Sequence, residues 1–214
     1  MKKLITLFVL LWASTVWGYE LLIIAASPVL PGKFIAMDSA AKTSGITLRY
    51  QFAETIAKDD PAVVLGKADM VVFDTVRSDM DEYIRMRIPK SIASLQTRKI
   101  PHLWSNPKNY SAVGLPDIQA KQLYGYYLNG GSENIKMFFK AVALLKEGKS
   151  IENLPSAIHF PEAAIYYPDK QLVYSTPTEY MKARGIESGM NKPIIAVAFH
   201  KQAITAQQTV LIDS

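Results

Sequence analysis

Glu20 to Ala26 reads ELLIIAA, and Ser27 to Gly32 continues it as SPVLPG. An unbroken apolar run of strand length is the pattern of a β-strand buried on both faces, and the loop after it opens a βα unit. Downstream the alternation repeats. Lys33 to Thr43 has helical character and stops near Gly45, and Ile46 to Phe52 (ITLRYQF) alternates as a second strand. Asp60-Pro61 starts a short helix through Leu65, with proline in the first turn, and Met70 to Asp74 (MVVFD) is a third buried strand. Asp79 to Met86 is helical, and Ser91 to Leu95 fits a fourth strand. Strands alternating with helices predict an α/β fold, a parallel sheet with flanking helices. Such sheets bind ligands outside the carboxyl ends of their strands, which points to Ser27–Gly32 and to Asp74-Thr75. Asp74 itself reads as a helix cap, with a ligand carboxylate as the alternative. No GxGxxG follows the first strand and no Walker pattern occurs, so nucleotide binding has no support.

Ile100 to Gly114 is irregular, with Pro101, His102, Trp104, Asn106, Pro107 and Tyr110, and reads as a connecting loop or lid. Pro116 to Leu128 is helical, with Leu115, Ile118, Leu123, Tyr126 and Tyr127 as apolar positions. Tyr124 to Phe139 (YGYYLNGGSENIKMFF) then turns a corner at Asn129-Gly130-Gly131. Glycine reaches positive φ, and Ser132 and Asn134 are suited to accept the unpaired N–H groups of a new helix. A polar helix start beside glycines suits an anion, while an ordinary helix-turn-helix corner explains the same letters. Ile135, Phe138, Phe139, Val142 and Leu145 form a core stripe on the second helix, which ends near Gly148.

Ile158 to Tyr167 carries Pro161 and reads as an edge or loop segment. Thr176-Pro177-Thr178-Glu179 opens a helix through Arg184, with Thr176 and Glu179 as a capping box. Pro193 to Phe199 (PIIAVAF) is a further buried strand, and Thr205 to Asp213 begins an amphipathic helix. The expected organisation is a leader over residues 1–18, a flavodoxin-like α/β subdomain over 19–99, a loop and helical segment over 100–188, and the start of a second α/β domain over 189–214. The last βα unit lacks a following parallel strand, so the chain is expected to be the front of a longer protein.

Met1 to Gly18 stands apart: Lys2 and Lys3 precede the apolar run Leu4 to Trp12, and small residues lead to Gly18. This is the pattern of a secretory signal peptide cleaved after Gly18, with an uncleaved membrane anchor as the alternative. Removing Lys2 and Lys3 lowers the formal net charge from +5 to about +3. The remaining basic residues are scattered, so there is no nucleic-acid footprint. Cysteine is absent, which excludes disulfides, thiol chemistry and cysteine metal ligation. Metal binding is left to His102, His159, His200 or carboxylates, and none of these histidines sits in a two-histidine spacing. His200 follows a strand at the end where α/β sheets place ligands, which suits a metal or ring ligand; a loop histidine is the simpler reading. Tyr124, Tyr126 and Tyr127 suit stacking on a flat ring as well as helix packing.

Four blocks in order resemble the N-terminal part of the large subunit of cobaltochelatase (CobN) and the related magnesium chelatase H subunit. They are Tyr126-Tyr127-Leu128-Asn129-Gly130-Gly131-Ser132-Glu133-Asn134, Ala164-Ile165-Tyr166-Tyr167-Pro168-Asp169, Glu179-Tyr180-Met181 and Lys192 to His200. The resemblance covers residues 100 to 214 by motif and residues 20 to 95 by architecture. It departs from the family pattern at Ser132, Tyr167 and Phe199-His200-Lys201.

The resemblance implies a large subunit that binds a porphyrin, haem or corrinoid ring and is the site of insertion or removal of a metal, cobalt, magnesium or iron. Separate AAA+ partners consume ATP. It implies no resident cofactor in this part of the subunit and a catalytic body beyond Ser214. The candidate ligand-binding residues are Tyr126, Asn129, Gly130, Gly131, Glu133, Asn134 and His200. The leader adds the expectation of a periplasmic protein that partners membrane transporters or receptors of an uptake system. A small exported solute-binding protein and a non-catalytic interaction module are the alternatives.

Overall fold

The computed structural model describes residues 18–27, 29, 31–75, 77–159, 165–167 and 172–186. The ELLIIAA run is strand β1, Tyr19–Ala25, and each residue from Leu21 to Ala25 is fully buried. It is flanked on both sides by parallel strands, β2 (Ile46–Phe52) and β3 (Met70–Asp74), with Tyr19 opposite Ile46 and Ala25 opposite both Phe52 and Asp74. β4 (His102–Ser105) joins β3 in parallel, and β5 (Tyr110–Val113) closes that edge antiparallel to β4. The order is β2-β1-β3-β4-β5, so the expected α/β fold with a mostly parallel sheet is present.

A strand alternates its side chains between two faces, and both faces are covered here. Leu21, Ile23, Ala25, Val72 and Leu103 point to one layer. That layer is made by α1 (Pro31–Thr43), α5 (Asp117–Asn129) and α6 (Gly131–Lys146). Leu22, Ile24, Val71, Phe73 and Trp104 point to the other, made by α2 (Pro61–Val64), α3 (Ser78–Arg87) and α4 (Pro89–Thr97). The stripe Ile135, Phe138, Phe139 and Val142 is buried in the first layer as expected, whereas Ile118 is 62% exposed and takes no part in the core.

Two expectations are corrected. Ser91 to Leu95 belongs to helix α4, not to a strand. Pro89 sits in its first turn, and the Asp59 carboxylate accepts from the N–H groups of Lys90 (2.6 Å) and Ser91 (3.0 Å), which satisfies two donors of the helix start. Ser91 and Leu95, four apart, are both fully buried, the spacing of one helix face. Ile100 to Gly114 is not a loop or lid but contributes β4 and β5. The reversal between them is set by Asn106, whose side-chain oxygen accepts from the N–H groups of Lys108 and Asn109, both at 3.0 Å.

The corner after α5 is a two-glycine turn, with Gly130 at φ 58°, ψ −155° and Gly131 at φ 74°. A side chain at Gly130 would be strained in that conformation, so the glycine is required by the backbone. Farther on, β6 (Ile165–Tyr167) and β7 (Leu172–Tyr174) pair antiparallel, followed by α7 (Pro177–Arg184). Thr176 Oγ1 accepts from Glu179 N–H at 3.2 Å, and the Glu179 carboxylate accepts from Ser175 N–H, the expected capping arrangement shifted by one residue. The strand expected over 193–199, the helix over 205–213 and His200 lie outside the described residues, as does the leader up to residue 17. Among the described residues no helix is long and apolar enough to cross a membrane.

Asp59→Ala is expected to lower stability by about 1–2 kcal/mol through loss of the α4 cap, read as a shift in the urea midpoint. His102 is 4% exposed, and its Nδ1–H donates to the Ile100 carbonyl at 3.1 Å. Burial pushes its imidazole below the ordinary 6.5, aided by the Arg85 charge and opposed by the Ile100 hydrogen bond. The unfolded chain therefore takes up the proton first. The stability from a neutral His102 is expected to be complete above pH 6.5 and to fall as pH drops through that value, and His102→Phe is expected to flatten that slope in pH-dependent melting.

Candidate functional site

β1 leads into a helix on one face of the sheet and β3 into a helix on the other, so the carboxyl ends of these adjacent strands form the switch point at which open α/β sheets bind ligands. The chain places a buried carboxylate there. Asp74, the last residue of β3, is 5% exposed, and its Oδ2 accepts from Lys33 Nζ at 2.9 Å and from the Tyr127 hydroxyl at 2.7 Å. Lys33 also lies over the Tyr127 ring, 4.0 Å from its centroid. Three elements, the first turn of α1, the end of β3 and the last turn of α5, thus meet at one oxygen.

The electrostatics follow from burial. Tyr127 is 3% exposed, and burial, the Asp74 charge and the hydrogen bond to it hold the phenol protonated, its pKa pushed well above 10. One cation, one anion and one neutral donor therefore balance in the crevice, with 19% of the Lys33 side chain reaching solvent. Asp74 is not the helix cap expected from the sequence: α3 begins after Arg77, and the Asp74 carboxylate holds Lys33 and Tyr127 instead.

A second polar group adjoins it at the ends of β3 and β4. Thr75 Oγ1 donates to Asp81 Oδ1 at 2.5 Å, and Asn106 Nδ2 donates to Asp81 Oδ2 at 3.0 Å. The Tyr124 hydroxyl donates to the Asn106 carbonyl at 2.8 Å, and Tyr124 stacks on Tyr110. Ser27 N–H, at the end of β1, donates to the Glu54 carboxylate at 2.9 Å. Among the described residues no group of three or more His, Asp or Glu side chains is placed to hold a metal ion.

The residues singled out from the sequence are not all brought together. Tyr126 is fully buried and its hydroxyl donates to the Pro155 carbonyl, while Gln122 Nε2 donates to that hydroxyl at 3.0 Å. Asn134 is 2% exposed and does not cap α6; its side chain accepts from Ile158 N–H at 2.9 Å and donates to Ile158 O at 2.8 Å, fastening the segment after α6. Asn129 Nδ2 donates to the Gly125 carbonyl at 2.7 Å, Gly130 and Gly131 are buried, and Glu133 is exposed in an ion pair with Lys136. Lys33 was not legible as a site residue, since nothing near it in the sequence marks it. Asp74 carried a signal, its place after a buried strand.

Residues 124–214 match the model of the family described as CobN/Magnesium Chelatase. Over this stretch the chain is similar to that family. The matched residues include Tyr124, Tyr127, the glycine corner and all of α6, so the family region supplies one wall of the crevice. Among solved structures, the catalytic subunit of cobaltochelatase from Mycobacterium tuberculosis is similar over 91% of this chain, with a TM-score of 0.55 and 14% identity. At that identity the likeness speaks for the fold, and this chain spans 14% of that subunit's length. No curated protein matches.

Tyr127→Phe is expected to cost about 1–3 kcal/mol, because it leaves the buried Asp74 carboxylate short of a donor. In the Asp74→Asn background the same change is expected to cost measurably less, as a double-mutant cycle by chemical denaturation would show.

Proposed function

We propose that this chain is the leading part of a CobN-like chelatase large subunit, exported to the periplasm, that takes part in binding a tetrapyrrole for insertion or removal of its metal. The observation that carries the reading is the family match over residues 124–214. The ring is a porphyrin, haem or corrinoid, and its cobalt, magnesium or iron is cargo.

In this reading the crevice at the carboxyl ends of β1 and β3 holds a polar substituent at the rim of the ring. Lys33 is the cation within reach of a ring carboxylate, and Tyr127 keeps Lys33 oriented by lying under it. Outside the inner membrane there is no ATP for a motor partner, so the leader favours ring handling during uptake, alongside a membrane transporter or receptor. A second reading, an exported solute-binding protein, is favoured by the strand order itself, which makes a ligand crevice without reference to any ring.

Titrating the chain beginning at Tyr19 with a porphyrin, haem and a corrinoid distinguishes them. Saturable shifts of the ring absorption band, weakened roughly tenfold by Lys33→Ala, are expected. Silence with all three rings would overturn ring binding by this chain.

A further inference from the structure

We propose that the crevice at the carboxyl ends of β1 and β3 recognises a primary carboxamide on the rim of the ring, and that Asp74 is the residue that prefers this group to a carboxylate. The inference rests on the ring-binding reading above and names the substituent that reading leaves open.

Two of the side chains that meet in the crevice keep a hydrogen-bonding position unused. Both bonds to the Asp74 carboxylate, from Lys33 and from the Tyr127 hydroxyl, end on Oδ2. Among the described residues every fully buried side-chain oxygen or nitrogen has a partner, so Oδ1, to which none of them donates, is open to the crevice. An ammonium carries three donors. Lys33 gives one to Oδ2 and lies 4.0 Å from the Tyr127 ring centroid, and 19% of its side chain is exposed, which leaves an N–H for a ligand. Tyr127 does not compete for that ligand, because its phenol stays protonated and donates inward to Oδ2.

An open acceptor beside an open donor matches a group that carries both. The carbonyl of a carboxamide accepts from Lys33 while its NH2 donates to Oδ1. A carboxylate has acceptors only. Bound to Lys33, it sets its second oxygen against Oδ1, and two anions then share one cation where Asp74 is 5% exposed and screening is poor. Lys33 by itself takes either form; Asp74 decides between them. The other charges at this end of the sheet do not restore the balance. Asp81 and Glu54 are anions, the first holding Thr75 and Asn106 and the second the Ser27 N–H, while Arg77 is exposed and paired with Asp79.

Haem and its bis-carboxamide, in which both propionates are converted to propionamides, share one ring and one metal and differ only at the substituent. Titrating the protein with each, followed by the ring absorption band, is expected to give a Kd for the bis-carboxamide roughly tenfold below that for haem. Asp74→Asn removes the repelling charge, so the preference is expected to collapse, chiefly through tighter binding of haem. Lys33→Ala is expected to weaken both. Haem bound by the wild-type protein as tightly as its bis-carboxamide overturns the inference whatever the variants do, and leaves ring binding standing. Silence with both rings overturns ring binding by this chain, and this inference with it.

Discussion

Burial of β1 on both faces is the constraint from which the rest of this structure follows. A strand with no solvent-facing side needs a hydrogen-bonded neighbour at each edge and a helical layer over each face, because unpaired backbone groups in such a place are costly. β2 and β3 supply the edges, α1, α5 and α6 one layer, and α2, α3 and α4 the other. Polar chemistry is thereby driven to the two ends of the sheet. Asp69 stands just before the amino end and Asp74 at the carboxyl end of β3, each bonded to a group from another element.

The carboxyl end carries the more demanding arrangement. A carboxylate with 7% of its side chain exposed is expensive to desolvate, and it is retained only where partners compensate it. Lys33 and Tyr127 do so from opposite sides of the crevice, which ties α1 and α5 together at the switch point. The glycine corner has its use here. By reversing the chain at Gly130 it lets α6 pack back so that Phe138 lies 5.2 Å from the Tyr127 ring, holding the phenol against Asp74.

The family match and the sheet divide the chain unevenly. The match begins at Tyr124, so it takes in the last six residues of α5, all of α6 and the β6–β7–α7 unit, while every strand of the five-stranded sheet precedes it. The likeness to the cobaltochelatase subunit extends over the sheet as well, which joins the two parts as one architecture. The aromatic residues of the matched region serve packing on one helix face and the crevice on the other: Tyr126 turns to Pro155, and Tyr127, one residue on, turns to Asp74.

By itself the sequence determined the elements whose signals are local. Continuous apolar runs specify β1 and β3, Asp60-Pro61 specifies the start of α2, and Gly130-Gly131 specifies the reversal between α5 and α6. It misled where local signals were weak: His102–Ser105 is a strand of four residues with polar ends, and Ser91–Leu95 alternates like a strand although Pro89 and Asp59 make it a helix. Only the tertiary structure decided what surrounds Asp74. Its partners lie 41 and 53 residues away along the chain, and no periodicity or motif couples positions that meet only because three separate elements pack at one end of the sheet.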